Sequence, residues 1–350
     1  MRIGLLTTSF PRHAGDYAGS FVGDRVRQLL ADGDHVDVIA AGDGAATCEL
    51  EHPRLTITRI APLPGNILFY GEGAPEALER GGVAVWLAAA RFTAALAATA
   101  RAHAPRFDLF ESHWLVPTAF AAVAGAPAHR HRAFAHSGDV ALLERIPFGR
   151  TIARRLARDG IAIRFVSEAL RARFAALAGS HVGSVEPMVP FTTAAEWAAR
   201  AGIDAAGRRD LGLARPTVLA VGRLVPIKGH DRLLRACARV QLEARRGSDA
   251  LEVVILGDGP ERARLGRLAD QLGVRLRLPG FVPRADVQRW LRAADVFVQP
   301  SIELANGRSE GAPFATAEAR AVGIPVLVES DVARLAEGLG RRFHPNAPGV

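Results

Sequence analysis

Two Rossmann-like α/β domains in tandem, each built on a parallel sheet, are the architecture this sequence predicts. Three observations carry the prediction. Short apolar runs alternate with longer stretches of helical period, the pattern of parallel strands covered by helices on both faces. The alternation loosens between about residues 187 and 215 and restarts at PTVLAVG, as a chain does between domains. The 350 residues, 49% apolar and 23% charged, are enough for two cores of ordinary size.

The first domain is expected over residues 1–190. Residues 3–7, IGLLT, form a continuous apolar run, as a strand buried on both faces requires. Residues 20–31 follow with Val22, Val26, Leu29 and Leu30 at the spacing of one helix face. Strands at 36–40 and 55–60 are rich in β-branched residues. Residues 83–102 read as an alanine-rich helix, and Arg91, Arg101 and His103 in or beside it mark an amphipathic helix, not a bilayer crossing. A strand at 107–111, helices at 117–124 and 150–158, a strand at 161–166 and a helix at 168–177 complete the domain. After a linker at 191–215, the second domain, 216–350, supplies strands at 217–221, 252–256, 274–278, 296–299 and 325–328. Its helices are expected near 230–245, 260–272, 285–293, 314–322 and 331–338. Ligands of such sheets lie at the carboxyl ends of the strands, so the two sheets are expected to face a central cleft.

Composition narrows the class. MRIGLLTTSF has no basic n-region, long apolar stretch or cleavage site, so no signal peptide is expected. Cys48 and Cys237 stand far apart without a C-x-x-C partner, which suits reduced thiols in a cytoplasmic protein. The formal net charge is +8, and of 44 basic side chains only Lys228 is a lysine. Between residues 145 and 173, Arg145, Arg150, Arg154, Arg155, Arg158, Arg164, Arg171 and Arg173 face only Asp159 and Glu168. Such a stretch suits an anionic membrane surface or simply a solvated helical face. No nucleic-acid reader motif or aromatic interleaving accompanies it, so nucleic acid is not an expected partner.

Chemistry concentrates at strand ends in the second domain. Arg223 and Lys228, in VGRLVPIKGH, fall on the loop after strand 217–221. Two cations there suit a diphosphate, arginine as a planar fork and lysine as a compact charge; the same pair also suits a plain surface loop. LGDGP at 256–260 is a tight turn with Asp258 as a prospective cap, and it is not a Rossmann G-x-G-x-x-G fingerprint. The densest pattern follows strand 296–299: a polar loop, then Glu310-Gly311-Ala312-Pro313, then a helix from Phe314 that carries Glu318. Gly311 permits close backbone approach, Pro313 fixes the helix start, and the exposed N–H groups of the first turn make an anion site. Glu310 and Glu318 bracket that site as acceptors for hydroxyls, although an acid near a helix start also has a capping explanation. In the first domain Gly15 and Gly19 flank a loop opening onto a helix, and His113 and His136 each follow an apolar strand.

In this order and spacing, SFPRHAGDYAGSFV, HWLVP, AHSGDV, VGRLVPIKGHDRLL, LGDGP, LPGFVPRADVQRWLRAADVFVQPS and the E-x7-E pair Glu310 and Glu318 resemble family 4 of the retaining glycosyltransferases, enzymes of the two-Rossmann-domain type called GT-B. The resemblance covers nearly the whole chain. It implies a hexosyltransferase that takes a nucleoside-diphosphate sugar as co-substrate and needs no cofactor. Carried over to matching positions, it implies that Arg223 and Lys228 bind the donor diphosphate and Glu318 the ribose hydroxyls. Glu310, with Gly311, Ala312, Pro313 and Phe314, would hold the transferred sugar, and Phe281 and Val282 would flank the base. Gly19 would approach the donor phosphate, with Gly15, Asp16 and His113 on the acceptor side. His136 matches a histidine of an H-G-x-D-like motif, read here as His-Ser-Gly-Asp, and would contact the sugar near the reaction centre.

Breaking the anomeric C–O bond leaves charge on the nucleoside diphosphate. Arg223, Lys228 and the helix start would stabilise it, the task a metal ion has elsewhere. No D-x-D motif appears where it would be needed, so metal independence is expected; retention of configuration is implied by the family. A glycan or lipid-linked acceptor in cell-envelope polysaccharide synthesis, met at the cytoplasmic face of the membrane, is the expected partner. One departure bears on activity: ESDVARLAEGLG is followed by RRFHPNAPGV, which matches nothing in the family. A truncated C-terminal domain, short of apolar cover, is therefore expected. The alternative reading is a non-catalytic glycosyltransferase-like protein acting as a binding partner; a two-domain epimerase or phosphorylase is a third, disfavoured by the E-x7-E loop.

Overall fold

The computed structural model describes residues 1–13, 16, 18–42, 51–60, 68–70, 78, 81–127, 129–186, 204–243, 251–305, 310 and 313–343. The chain divides into two compact units, Met1–Phe191 and Thr192–Val350.

Unit 1 carries a seven-stranded parallel sheet of β1 (Arg2–Leu6), β2 (His35–Ala41), β3 (Leu55–Ile60), β4 (Leu109–His113), β5 (His131–Ala135), β6 (Ala162–Phe165) and β7 (Ser184–Val185), in the order β3-β2-β1-β4-β5-β6-β7. Its helices are α1 (Ser20–Ala31), α2 (Val83–His103), α3 (Phe120–Gly125), α4 (Ser137–Arg145), α5 (Gly149–Arg158) and α6 (Glu168–Ala178). Ile3, Leu5, Val22, Val26 and Val38 close the core under α1. By length and apolarity α2 could cross a bilayer; in the fold it buries Phe92, Leu96 and Ala100 and leaves Val83, Trp86 and Leu87 exposed.

Sequence reasoning placed an apolar strand before His136 without giving β5 its bounds, and it missed α4 and β7. The bounds of β5, HRAFA, are blurred because Arg132 interrupts its apolar pattern. The sheet register places Arg132 opposite Glu111 of β4, so the charge is met inside the sheet and no hydrophobic period marks the strand.

Unit 2 carries a five-stranded parallel sheet of β8 (Thr217–Val221), β9 (Glu252–Leu256), β10 (Arg275–Gly280), β11 (Val296–Gln299) and β12 (Val326–Val328), ordered β10-β9-β8-β11-β12. Its helices are α7 (Ala205–Asp210), α8 (His230–Glu243), α9 (Arg262–Leu272), α10 (Arg284–Ala293), α11 (Phe314–Val322) and α12 (Val332–Phe343). One sheet face packs Leu233, Leu234, Cys237, Leu335 and Leu339; the other packs Leu213, Trp290, Leu291, Phe297 and Val322. Burial pushes the Cys237 thiol up to about 12, so it is a packing residue; Cys48 lies outside the described residues. Helix α12 runs on through Arg341, Arg342 and Phe343 and buries Leu335, Ala336 and Leu339, because leucines at a four-residue spacing present one face to the core.

Candidate active site

Backbone bonds lace the strand-end loops of unit 2 into one frame. Leu224 N donates to Asp258 O at 2.9 Å, Gly257 N to Gly280 O at 2.8 Å, and Ile302 N to Ile227 O at 2.9 Å. Asp258 caps locally, accepting from Gly259 N at 2.8 Å. The chain leaves β8 at Gly222 and reaches Lys228 through a short 3-10 turn, Pro226–Lys228. Gly222 has φ +155, and a Cβ there would come 2.8 Å from Lys228 Cε, so the lysine stem lies across the glycine.

Lys228 Nζ donates to Glu310 Oε1. The other carboxylate oxygen accepts from Gln299 Nε2 at 3.0 Å and from Ser301 Oγ, and Gln299 Nε2 also reaches Ser301 Oγ at 2.6 Å. Lys228 and Glu310, 82 residues apart in sequence, thus form a charge-assisted pair at the end of β11, with side chains 15% and 21% exposed. Arg223 is half-buried on the same loop. Behind it His230 is buried, and burial together with the Lys228 charge lowers its pKa to about 3. It stays neutral and adds no further repulsion to a loop that already holds two cations. Sequence reasoning had no signal for His230 beyond its place after Gly229.

Glu318, on α11, is 6% exposed and accepts from Arg284 Nε at 2.7 Å. Pro313 is the N-cap of α11, and Pro313 and Phe314 are half-buried. Phe281 is 47% exposed on the loop between β10 and α10, whereas Val282 packs against the core. Gly311 and Ala312 lie outside the described residues. Arg284, Gln299 and Ser301 went unrecognised as partners of the two glutamates.

Unit 1 assembles a second group at the ends of β4 and β5. Glu111 is fully buried. It accepts from Arg25 Nε at 2.8 Å and Arg25 Nη2 at 3.1 Å, and from Arg132 Nε at 2.8 Å. Burial alone would raise its pKa; contacts to His113 and Arg25 overcome that and hold it well below the carboxylate range. His113 Nε2 stands 3.4 Å from Glu111 Oε1, and its ring stacks on Phe134 at 5.1 Å and on His136 at 5.6 Å. Burial, reinforced by the Arg25 and Arg132 charges, lowers the His113 pKa; burial and then His113 lower that of His136 well below its ordinary value. Both rings are neutral near pH 7, and a neutral imidazole offers one donor and one acceptor, as hydroxyls require.

The structure places two of the expected acceptor-side residues as follows. His113 is 0% exposed: it ends β4 on the face that Glu111 shares, two residues earlier, so it supports the site from within. Asp16 has its carboxylate occupied by Arg12 N and Nε (3.1 and 2.7 Å) and Ala18 N (3.0 Å), which fixes the loop ahead of Gly19. Gly19 is the N-cap of α1 at φ +69, with Ser9 O only 2.2 Å from where a Cβ would be. Gly15 lies outside the described residues.

Asp139, the third residue of α4, was missed although an acid at that helix position is a capping signal. Its Oδ2 accepts from Leu115 N at 2.6 Å and His136 N at 3.2 Å, clamping the loops after β4 and β5 together. Trp114, at φ +82, is thereby set against His136 with ring centroids 4.7 Å apart. Among the described residues no three His, Cys, Asp or Glu side chains cluster as metal ligands would.

Residues 208–337 match the family model described as glycosyl transferases group 1. A GDP-mannose-dependent α-(1-6)-phosphatidylinositol monomannoside mannosyltransferase of Mycobacterium tuberculosis is 28% identical over 93% of this chain and 80% of its own length. The protein of the same description from Mycolicibacterium smegmatis is 33% identical over 52% of this chain; the chain spans about half of that relative, 47%. A putative colanic acid biosynthesis glycosyltransferase of Salmonella typhimurium is 38% identical over 34% of this chain and 30% of its own length. Among solved structures, sucrose-phosphate synthase from Thermosynechococcus elongatus superposes with TM-score 0.71 at 18% identity, covering 97% of this chain and 89% of that one. Anabaena HepE, solved with UDP and glucose, gives 0.64 at 19% identity over 95% and 82%. These superpositions establish the fold.

Proposed function

We propose that the chain is a GT-B glycosyltransferase drawing on a nucleotide-sugar donor, and that it transfers mannose from GDP-mannose to a lipid-linked or glycan acceptor, retaining configuration and using no metal ion. The observation that carries the reading is the Lys228–Glu310 pair with Gln299 and Ser301 at the end of β11, within the stretch that matches the family. A diphosphate offers Lys228 more negative charge than one carboxylate does. Its arrival draws the ammonium toward phosphate and leaves Glu310, still held by Gln299 and Ser301, to accept from sugar hydroxyls. Arg223 and Lys228 then stabilise the departing nucleoside diphosphate, and Glu318 accepts from the ribose. The choice of GDP-mannose rests on the relative that aligns over nearly the whole chain.

Purified protein screened against GDP, UDP and ADP and their common sugars tests the donor, since a ligand of the folded state raises its melting temperature. GDP and GDP-mannose are expected to do so and to support transfer; a shift by UDP-glucose alone would replace the donor, and no shift at all would overturn the reading. Transfer is expected to persist within about twofold after EDTA treatment, because fixed cations do the work that would otherwise fall to a Lewis acid. A tenfold loss restored by Mg²⁺ would refute that part. The non-catalytic reading has no observation in its favour among Arg223, Lys228, Glu310 and Glu318, which are all present.

A further inference from the structure

We propose that Arg284 is a positioning residue for nucleotide selection, holding the Glu318 carboxylate ionised and oriented so that it discriminates ribose from deoxyribose. The inference rests on the proposed ribose-binding role of Glu318. Arg284 opens α10, where a cation opposes the helix dipole, so the helix itself gains nothing from an arginine there. What the position does offer is Glu318: the guanidinium Nε donates to Oε1 at 2.7 Å across the packed α10 and α11 helices, which share the core of Val287, Trp290, Leu291, Ala319 and Val322.

The Glu318 side chain is 7% exposed, and a carboxylate that deep is costly to keep charged without a cation beside it. Arg284 supplies that cation, and its Nε–H holds Oε1 of the carboxylate. Hydrogen bonds to an ionised acceptor are roughly twice as strong as neutral ones. A sugar hydroxyl that donates to the held carboxylate is therefore favoured, and a deoxy analogue forgoes that bond. Arg284 also lies three residues after Phe281, on the loop expected to flank the base, so one side chain ties the base loop to the ribose acceptor.

The experiment measures binding of GDP against 2′-deoxy-GDP, and UDP against 2′-deoxy-UDP, by calorimetry on the full chain, with wild type, Arg284→Ala and Arg284→Lys. Wild type is expected to prefer the ribonucleotide by about tenfold or more, the scale of one lost charged hydrogen bond. Arg284→Ala should bring that ratio toward one and raise the KM for donor about tenfold, with kcat changed little; Arg284→Lys, which keeps the charge but not the planar fork, should fall between. A ribose preference that survives Arg284→Ala overturns the proposal and leaves the Glu318 role standing. A wild-type ratio near one overturns the Glu318 role and this proposal with it.

Discussion

At Lys228 the stem crosses a glycine and the head meets a carboxylate, and both facts bear on substitution. Arginine is longer and planar, so at this position it cannot follow the path over Gly222 that places Nζ on Glu310 Oε1. Lys228→Arg is expected to lower transfer by at least about tenfold, the loss of one well-placed charged contact, with a melting temperature within a few degrees of wild type. Near-normal transfer would return Lys228 to the surface cations. The sequence made this residue conspicuous, since every other basic side chain but histidine is arginine. It could not show that Glu310 is the partner, because the pair closes over 82 residues. Arg284 and Glu318, 34 residues apart, are hidden for the same reason.

At the scale of elements, α4 and α1 are held by single groups whose failure can be measured. Burial raises the Asp139 carboxyl from 3.8 to about 7, against backbone N–H groups of Leu115, His136 and Val140 that pull it down. Between pH 4 and 7 the folded protein therefore keeps a proton that the unfolded chain has lost, and stability falls as pH rises through that window. Asp139→Asn keeps an acceptor oxygen without the charge. Relative to wild type it should gain stability from pH 4 to pH 7.5 by on the order of a few kcal/mol in urea unfolding; an unchanged difference across those pH values would refute the raised pKa. Gly19→Ala must place a Cβ 2.2 Å from Ser9 O at φ +69, which is expected to lower the melting temperature by several degrees, at a cost of about 1–3 kcal/mol. An unaltered melting curve would count against the αL start of α1. Elements with a clean apolar period were legible in the sequence. The bounds of β5 were not, because a strand that carries Arg132 opposite a buried glutamate has no such clean period.

For the whole molecule the net charge of +8 favours anionic surfaces, and the structure narrows where that charge is available. Arg173 pairs with Glu144, Arg171 with Glu168 and Arg164 with Glu186. Arg150, Arg154 and Arg158 are exposed on α5 at four-residue intervals, beside Phe148 at 73% exposure. The membrane proposal thus belongs to α5 more than to the full 145–173 stretch. Flotation with phosphatidylglycerol vesicles should show salt-sensitive binding that is lost when these three arginines become glutamine, and no binding at low salt would refute it.

The sequence by itself determined the two α/β units, the strand-end loops and the glutamates of the E-x7-E pair, because apolar periodicity, caps and turn residues act over a few neighbours. Only the tertiary structure decided which charge answers which: Lys228 with Glu310, Arg284 with Glu318, Arg25 and Arg132 with Glu111. It also turned His113 inward and gave Asp139 two loops to hold. A buried charge must find a counter-charge within a few ångströms, and that distance is set by strand order and helix packing, which no local spacing records.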